Sequence, residues 1–432
     1  MRARLLASCV CACLAGSAIA QSEDKYSFDV DKFEKKPFEL SGYAELRQES
    51  FRLNQDGVPY KLNFYDREPR ARVDGTIGVL ELSGLYRQGI ATFQATAHAD
   101  VSSDSLQSVN RGLMYEAYLT LEPATGVRVE AGKRTLRWGK GYAWSPVGFV
   151  ERPKDPNDPE LSREGFAMLG ASFTRSFDGP LQTVTFTPLL VPTSSQVNAD
   201  FGAGNHANPA ARLSLLYRDT DIDFMVLGQG ARSLRYGFDF SRNLSTNLEL
   251  HGEWARIHDA SKPVLGAGGS GTPQTGNATS YLLGMRYLTA RDTTWIAEYY
   301  RNGTGYTQDQ MRAYFTFSHN AYDQFLATGN AAALERAGAL QSSYGRPNAM
   351  RRYFYVRASQ KEPFDILYFT PAVTAIVNLD DRSYSLGPEL TYTGITNLDL
   401  RLRLFALQGG RLADFGEKLN EQRIELRARY YF

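Results

Sequence analysis

Cysteine is almost missing from this 432-residue chain: Cys9, Cys11 and Cys13 are the only three, and all lie in the first twenty residues. Whatever follows that leader can form no disulfide, hold no cysteine-ligated metal and use no thiol nucleophile. Long apolar runs are missing too. After Gln21 nothing approaches the ~18–20 apolar residues that a membrane-spanning helix requires. There is no surplus of one charge, with 48 Lys and Arg against 47 Asp and Glu. Losing Arg2 and Arg4 with a leader turns +1 into −1, a balance that excludes nucleic acid as a partner, since its phosphates demand a basic excess. No cofactor, nucleotide or energy-coupling motif is present. The glycine-rich stretch from Gly266 to Gly271 lacks the Lys-Ser/Thr and helix of a phosphate cradle and reads as a surface loop. His251 and Glu253 would share one strand face, but no third ligand stands at a legible spacing, so His251 reads as a hydrogen-bonded wall residue.

What is present is alternation. In the last nine residues Ile424, Leu426, Ala428, Tyr430 and Phe432 fall on one face of a strand. Arg423, Glu425, Arg427, Arg429 and Tyr431 fall on the other, because side chains alternate with a period of two. An edge strand this apolar would aggregate in a soluble sheet. It suits a closed barrel in lipid, apolar face outward and charged face toward a wet lumen. A final strand ending in Phe also resembles the C-terminal signature of bacterial outer-membrane barrels, which implies recognition by the barrel-assembly machinery. The N-terminus agrees: Arg2 and Arg4, a short apolar run from Leu5 to Leu14, then Ala18-Ile19-Ala20 before Gln21 make a cleaved secretory signal peptide over residues 1–20. Residues 21–37 read as a polar periplasmic lead-in and 38–432 as the barrel.

The same alternation recurs at 38–52, 91–100, 115–121, 127–133, 183–187, 211–217, 248–254, 281–287, 294–300, 350–358, 383–392, 398–406 and 423–432. Weaker candidates lie at 64–73, 167–175, 222–228, 235–240 and 366–378. Together they predict an all-β, transmembrane antiparallel β-barrel of about 18 strands, or 16 if the ambiguous stretch 74–90 is misread. Short connections such as 122–126, 218–221, 289–293 and 394–397 read as periplasmic turns. Long ones at 101–112, 138–165, 191–209, 257–279, 302–349 and 408–421 read as outside loops, with helical composition in 320–340. Asp380-Asp381 breaks the phase, a tight turn where an outside loop is due.

The segment from Gly132 to Gly165 is the richest in local signals. Pro153, Pro156 and Pro159 fix φ and withhold backbone donors, which makes a stiff, non-helical loop. Folded inward, it would narrow the pore and place Arg134, Arg137, Lys140, Lys154, Asp155 and Arg163 at a constriction. A strand ending in Trp138-Gly139, followed by this Pro- and Asp-containing loop, resembles porin-type barrels related to the alginate-export group. The resemblance implies a barrel of this size, an arginine-containing lumen and channel function, without naming a solute.

Strand phase places Arg47, Arg70, Arg72, Arg128, Arg286, Arg351, Arg357, Arg401, Arg403, Arg423, Arg427 and Arg429 on the lumen face, with Glu425 and Asp399 as the acids beside the last strands. Most such charges would pair across strands, yet the last wall leans basic, which predicts a mild preference for anions. The expected activity is passive diffusion or export of small or oligomeric polar solutes, anions included, through a Gram-negative outer membrane. Two other readings compete. A rim hydrolase would use His206, or His258-Asp259 with Ser261. A structural barrel would have a sealed lumen.

Overall fold

The computed structural model describes residues 37–432; the signal peptide expected over residues 1–20 and the lead-in expected after it fall outside the described residues, save for residue 37. The chain forms β1 (Phe38–Leu53), α1 (Val58–Phe64), β2 (Arg72–Gln88), β3 (Ala91–Asp104), β4 (Ser108–Ala124) and β5 (Val127–Arg134). After a long loop come β6 (Phe166–Ser176), β7 (Leu181–Thr193), β8 (His206–Tyr217), β9 (Thr220–Leu227), β10 (Arg235–Ser245), β11 (Leu248–Leu265), β12 (Gly271–Leu288) and β13 (Thr293–Arg301). The helices α2 (Gln308–Thr328) and α3 (Ala332–Tyr344) precede β14 (Arg352–Gln360), β15 (Phe369–Asn378), β16 (Tyr384–Ile395), β17 (Leu398–Gln408) and β18 (Asn420–Tyr431). Each strand pairs antiparallel with the next, and β18 pairs back onto β1, so a ring of 18 strands has no free edge.

Burial is inverted relative to a water-soluble fold. Mid-strand Leu46 and Leu283 are 60% exposed, and Leu426 is 54% exposed, on the outer face. On the inner face Glu298 is 0%, Glu425 1% and Arg403 5% exposed. An exterior this apolar is stable only in hydrocarbon, and closure satisfies every ladder hydrogen bond there. Exposed aromatics (Tyr86, Tyr217, Tyr287, Trp295, Tyr392 and Tyr430) gather near the short-turn ends of their strands, where an interfacial girdle belongs. The molecule is a transmembrane β-barrel.

The structure corrects several expectations. Residues 64–71 are not a strand: Phe64 ends α1, and the strand is β2, which starts at Arg72 and whose inner face carries Ile77 and Val79 and so blurs the alternation. Arg70 therefore sits in a loop, and Arg72 pairs with Asp74 beside Ser50 on the outward face. The loops expected at 101–112 and 257–279 are mostly strand; β11 and β12 pair through Leu265 and Gly271. One helix at 320–340 becomes two, broken where Gly329 adopts φ 72° as the α2 cap.

Closure depends on Gly42. Its N–H donates to the Phe432 carbonyl and its carbonyl accepts from the Phe432 N–H, both at 3.0 Å. A Cβ there would stand 2.4 Å from the Glu81 carbonyl oxygen and 3.0 Å from the Phe432 ring. Gly42→Val is expected to block the seam, read as loss of the compact, heat-modifiable band on an unheated detergent gel.

Candidate functional site

The connection between β5 and β6, residues 135–165, crosses the barrel interior and is held at three places. The first is apolar. Trp138, 1% exposed, meets Phe149 edge-on at 6.5 Å and packs with Phe166, Met168, Leu189, Met225 and Ala255 of the inner wall. The second is a pair of buried carboxylates. Glu253 on β11 accepts the N–H of Gly141 at 2.6 Å and of Val147 at 3.2 Å. Glu298 on β13 accepts the N–H of Tyr142, and that of Ala143 at 2.9 Å. Non-helical backbone inside a barrel needs such partners, since buried N–H groups left unpaired are costly. Trp144 then stacks on Tyr300 at 5.0 Å. The third hold is Asp158, which accepts from Arg403 of β17 at 2.8 Å and Arg427 of β18 at 3.1 Å. Around an 18-strand ring, β5, β11 and β17 are each six strands apart. The loop is thus pinned at points a third of the circumference apart, and it spans the bore.

Burial alone would push the Asp158 carboxyl up, but the two guanidiniums outweigh it and hold the group well below the ordinary carboxylate range. A docked pKa below the undocked one means docking is fully favoured above the free Asp value of about 3.9 and is lost as pH falls through the lower docked value. Protection of the loop from protease is expected to be equal at pH 7 and pH 5, weakening only under stronger acid. In Asp158→Asn the charge-dependent part of docking is expected to be absent at every pH.

The arginine wall is present, but it is not unopposed. Arg403 donates to Glu389 at 2.5 Å, and Arg357 to the same carboxylate at 2.9 Å. Arg401 lies 3.9 Å from Glu389. Arg427 donates to Glu425 at 2.9 Å, and Arg429 to Glu45 at 2.7 Å. Arg423 stands 3.7 Å from Glu425 and 4.0 Å from Glu49, over the Phe405 ring. Sequence phase counted Asp399 and Glu425 there; β1 adds Glu45 and Glu49 through the seam, β16 adds Glu389 and the loop adds Asp158. Arg351 departs from the expectation, since β14 begins one residue later. Its N–H donates to Asp380 at 3.1 Å and its guanidinium reaches the Gly305 carbonyl at 3.4 Å, so it braces an end loop rather than the wall.

The predicted constriction residues divide. Arg134 is the last residue of β5 and pairs with Glu130, and Asp155 caps a turn by accepting the Asn157 N–H at 2.9 Å; neither joins the others. Arg137, Lys140, Lys154 and Arg163 line one cavity of about 360 Å³ between the loop and the wall. Lys140 pairs with Asp223 at 3.2 Å and Arg163 with Glu151 at 3.3 Å. Lys154 donates to the Gly141 carbonyl, and burial pushes its ammonium down from the ordinary lysine value. The cavity also meets Glu249 of β11, Arg286 of β12 and Ile296 of β13, near the short-turn ends of those strands.

On the other side of the loop, a vestibule of about 710 Å³ runs past Asn157 between the wall and α3. It lies under a lid in which Val58 and Leu62 of α1, the helices α2 and α3, and Phe415 form one apolar cluster with Trp144. Glu417 fastens that lid, accepting the Val58 N–H at 3.0 Å and lying 2.9 Å from His319. Asp158, Glu253 and Glu298 are the anchoring residues that sequence reasoning missed. For Asp158 the one available signal is the need of an arginine-rich wall for counter-charge. His206 and His258 do not form a dyad: among the described residues neither side chain hydrogen-bonds a serine or a carboxylate.

No protein-family model and no curated protein matches the chain. Among solved structures it is similar to a triple mutant of the porin of Rhodopseudomonas blastica, at 10% identity and a TM-score of 0.45, covering 91% of this chain and 100% of that one. It is also similar to OccK5 of Pseudomonas aeruginosa, at 13% identity and a TM-score of 0.49, covering 91% and 98%.

Proposed function

We propose that the protein is a passive channel of a Gram-negative outer membrane, admitting small polar solutes through a bore that the 135–165 loop narrows. The observation that carries this reading is the loop itself. It is held across a charged interior by buried carboxylates and an Asp158–Arg403–Arg427 cluster, with water-sized space on both of its sides. A barrel of 18 strands leaves an aqueous lumen unless something fills it. Here the crossing loop, with the helical lid packed above it, reduces that lumen. The long-connection end faces outside and the short turns face the periplasm.

With the Arg401–Arg429 wall largely paired, any preference for anions falls to cations that lack acids. Purified protein in a planar bilayer tests the reading. Discrete conductance steps in KCl are expected, with a reversal potential in a salt gradient displaced toward anions. Absence of steps would instead favour a sealed barrel, and a cation-directed potential would remove the anion preference. Liposome swelling with sugars of graded size gives the cut-off, expected well below that of an unobstructed 18-strand bore.

A further inference from the structure

Three cations in the cavity beneath the loop have no acidic partner. Among the described residues Arg137, Lys154 and Arg286 form no ion pair. Arg137 and Arg286 are exposed, and Lys154 is satisfied only by a backbone carbonyl. Of the three carboxylates that line the cavity, Glu151 lies 3.3 Å from Arg163 and Glu249 faces His251, while Glu160 forms no ion pair among the described residues. Glu249 also accepts from Ser241 at 2.9 Å, and Glu160 accepts the Tyr142 hydroxyl at 3.3 Å. Cations gathered along a concave, low-dielectric wall attract an anion more strongly than they would singly on an open surface. The same cavity has apolar flanks at Leu161 and Ile296. About 360 Å³ is within the range of small-molecule sites.

We infer that this cavity is a binding subsite for small organic acids in transit, with Arg137, Lys154 and Arg286 taking the carboxylate and Leu161 and Ile296 meeting the hydrocarbon. The inference rests on the channel reading and refines it. A solute that has passed the loop from the vestibule reaches these three groups next, on the short-turn side. The fork of each arginine can bind a carboxylate through two parallel bonds, whereas Lys154 supplies a point charge.

The test is current block in planar bilayers. Glutarate is added to the short-turn side, with glutaramide (its neutral diamide) and inorganic phosphate as comparisons. Glutarate is expected to block KCl current at concentrations where glutaramide does nothing and phosphate is weaker. Arg137→Gln and Arg286→Gln are each expected to raise the half-blocking concentration about tenfold, the loss of a charged hydrogen bond. Arg286 sits on the wall and touches no part of the loop hold, so its variant stays informative even if Arg137→Gln disturbs docking. Equal block by phosphate would overturn the organic-acid assignment. Block unchanged in Arg286→Gln, or no block by glutarate while KCl steps persist, would overturn the subsite and leave the channel standing. Absence of KCl steps would bring down the channel reading instead.

Discussion

Replacing residues 136–164 by a short Gly-Ser turn is expected to raise single-channel conductance several-fold while the barrel stays folded. The barrel should tolerate the excision because Arg134 and Phe166 are already register partners at the ends of β5 and β6. A hairpin of a few residues can therefore join them. What leaves is the segment that crosses the bore, together with its apolar contacts to β6–β11 and those of Trp144 to β13, β14 and the lid. The inner faces it uncovers, Met168, Leu189 and Met225 among them, would meet water, so some loss of thermal stability accompanies the gain in current. The size cut-off in liposome swelling should rise in parallel. Unchanged conductance would mean that the current flows where the loop does not reach, and the constriction reading would be wrong.

The barrel was legible because one physical rule, lipid on one side and water on the other, acts on every strand. It faded where that rule stops acting. β11 and β12 continue past the apolar belt as a paired ribbon, and Thr272, Gln274 and Asn277 of β12 carry no apolar face to betray it. β2 was hidden for the opposite reason, with apolar residues on both faces. The arginines of β17 and β18 were placed on the lumen face from phase alone, but their neutralisation was not. Part of it comes from β1, more than 370 residues earlier in the chain, and is visible only once the sheet closes. Asp158 was harder still. Nothing local to Pro156-Asn157-Asp158-Pro159 says that its carboxylate meets Arg403, since that contact is made through the lumen and not along a strand. Alternation reports a side chain's face; it is silent about what a loop brings to that face.

Glu298 should be the most sensitive single residue in the hold. It is 0% exposed, accepts two consecutive backbone N–H groups from Tyr142 and Ala143, and lies 2.9 Å from His251. Glu298→Leu keeps most of the volume and removes every acceptor. Each buried donor left alone costs about 1–3 kcal/mol, and breaking a buried charged pair from one side costs about 3–5 kcal/mol. The loop has a way to avoid that cost, because it can leave the wall and let water satisfy Tyr142 and Ala143. The expected phenotype is therefore a released loop on an intact barrel. Protease should cut within residues 139–160, the unheated gel mobility should persist, and conductance should fall between wild type and the excised form, with frequent flicker. Glu298→Gln retains one carbonyl acceptor and should release the loop less. Asp158 would still tether the far end, so combining Glu298→Leu with Asp158→Ala is expected to approach the excised conductance, more than either change does alone. If the double variant stays protease-resistant and conducts like wild type, the apolar Trp138 cluster alone holds the loop, and the carboxylates merely satisfy a backbone that packing has already placed.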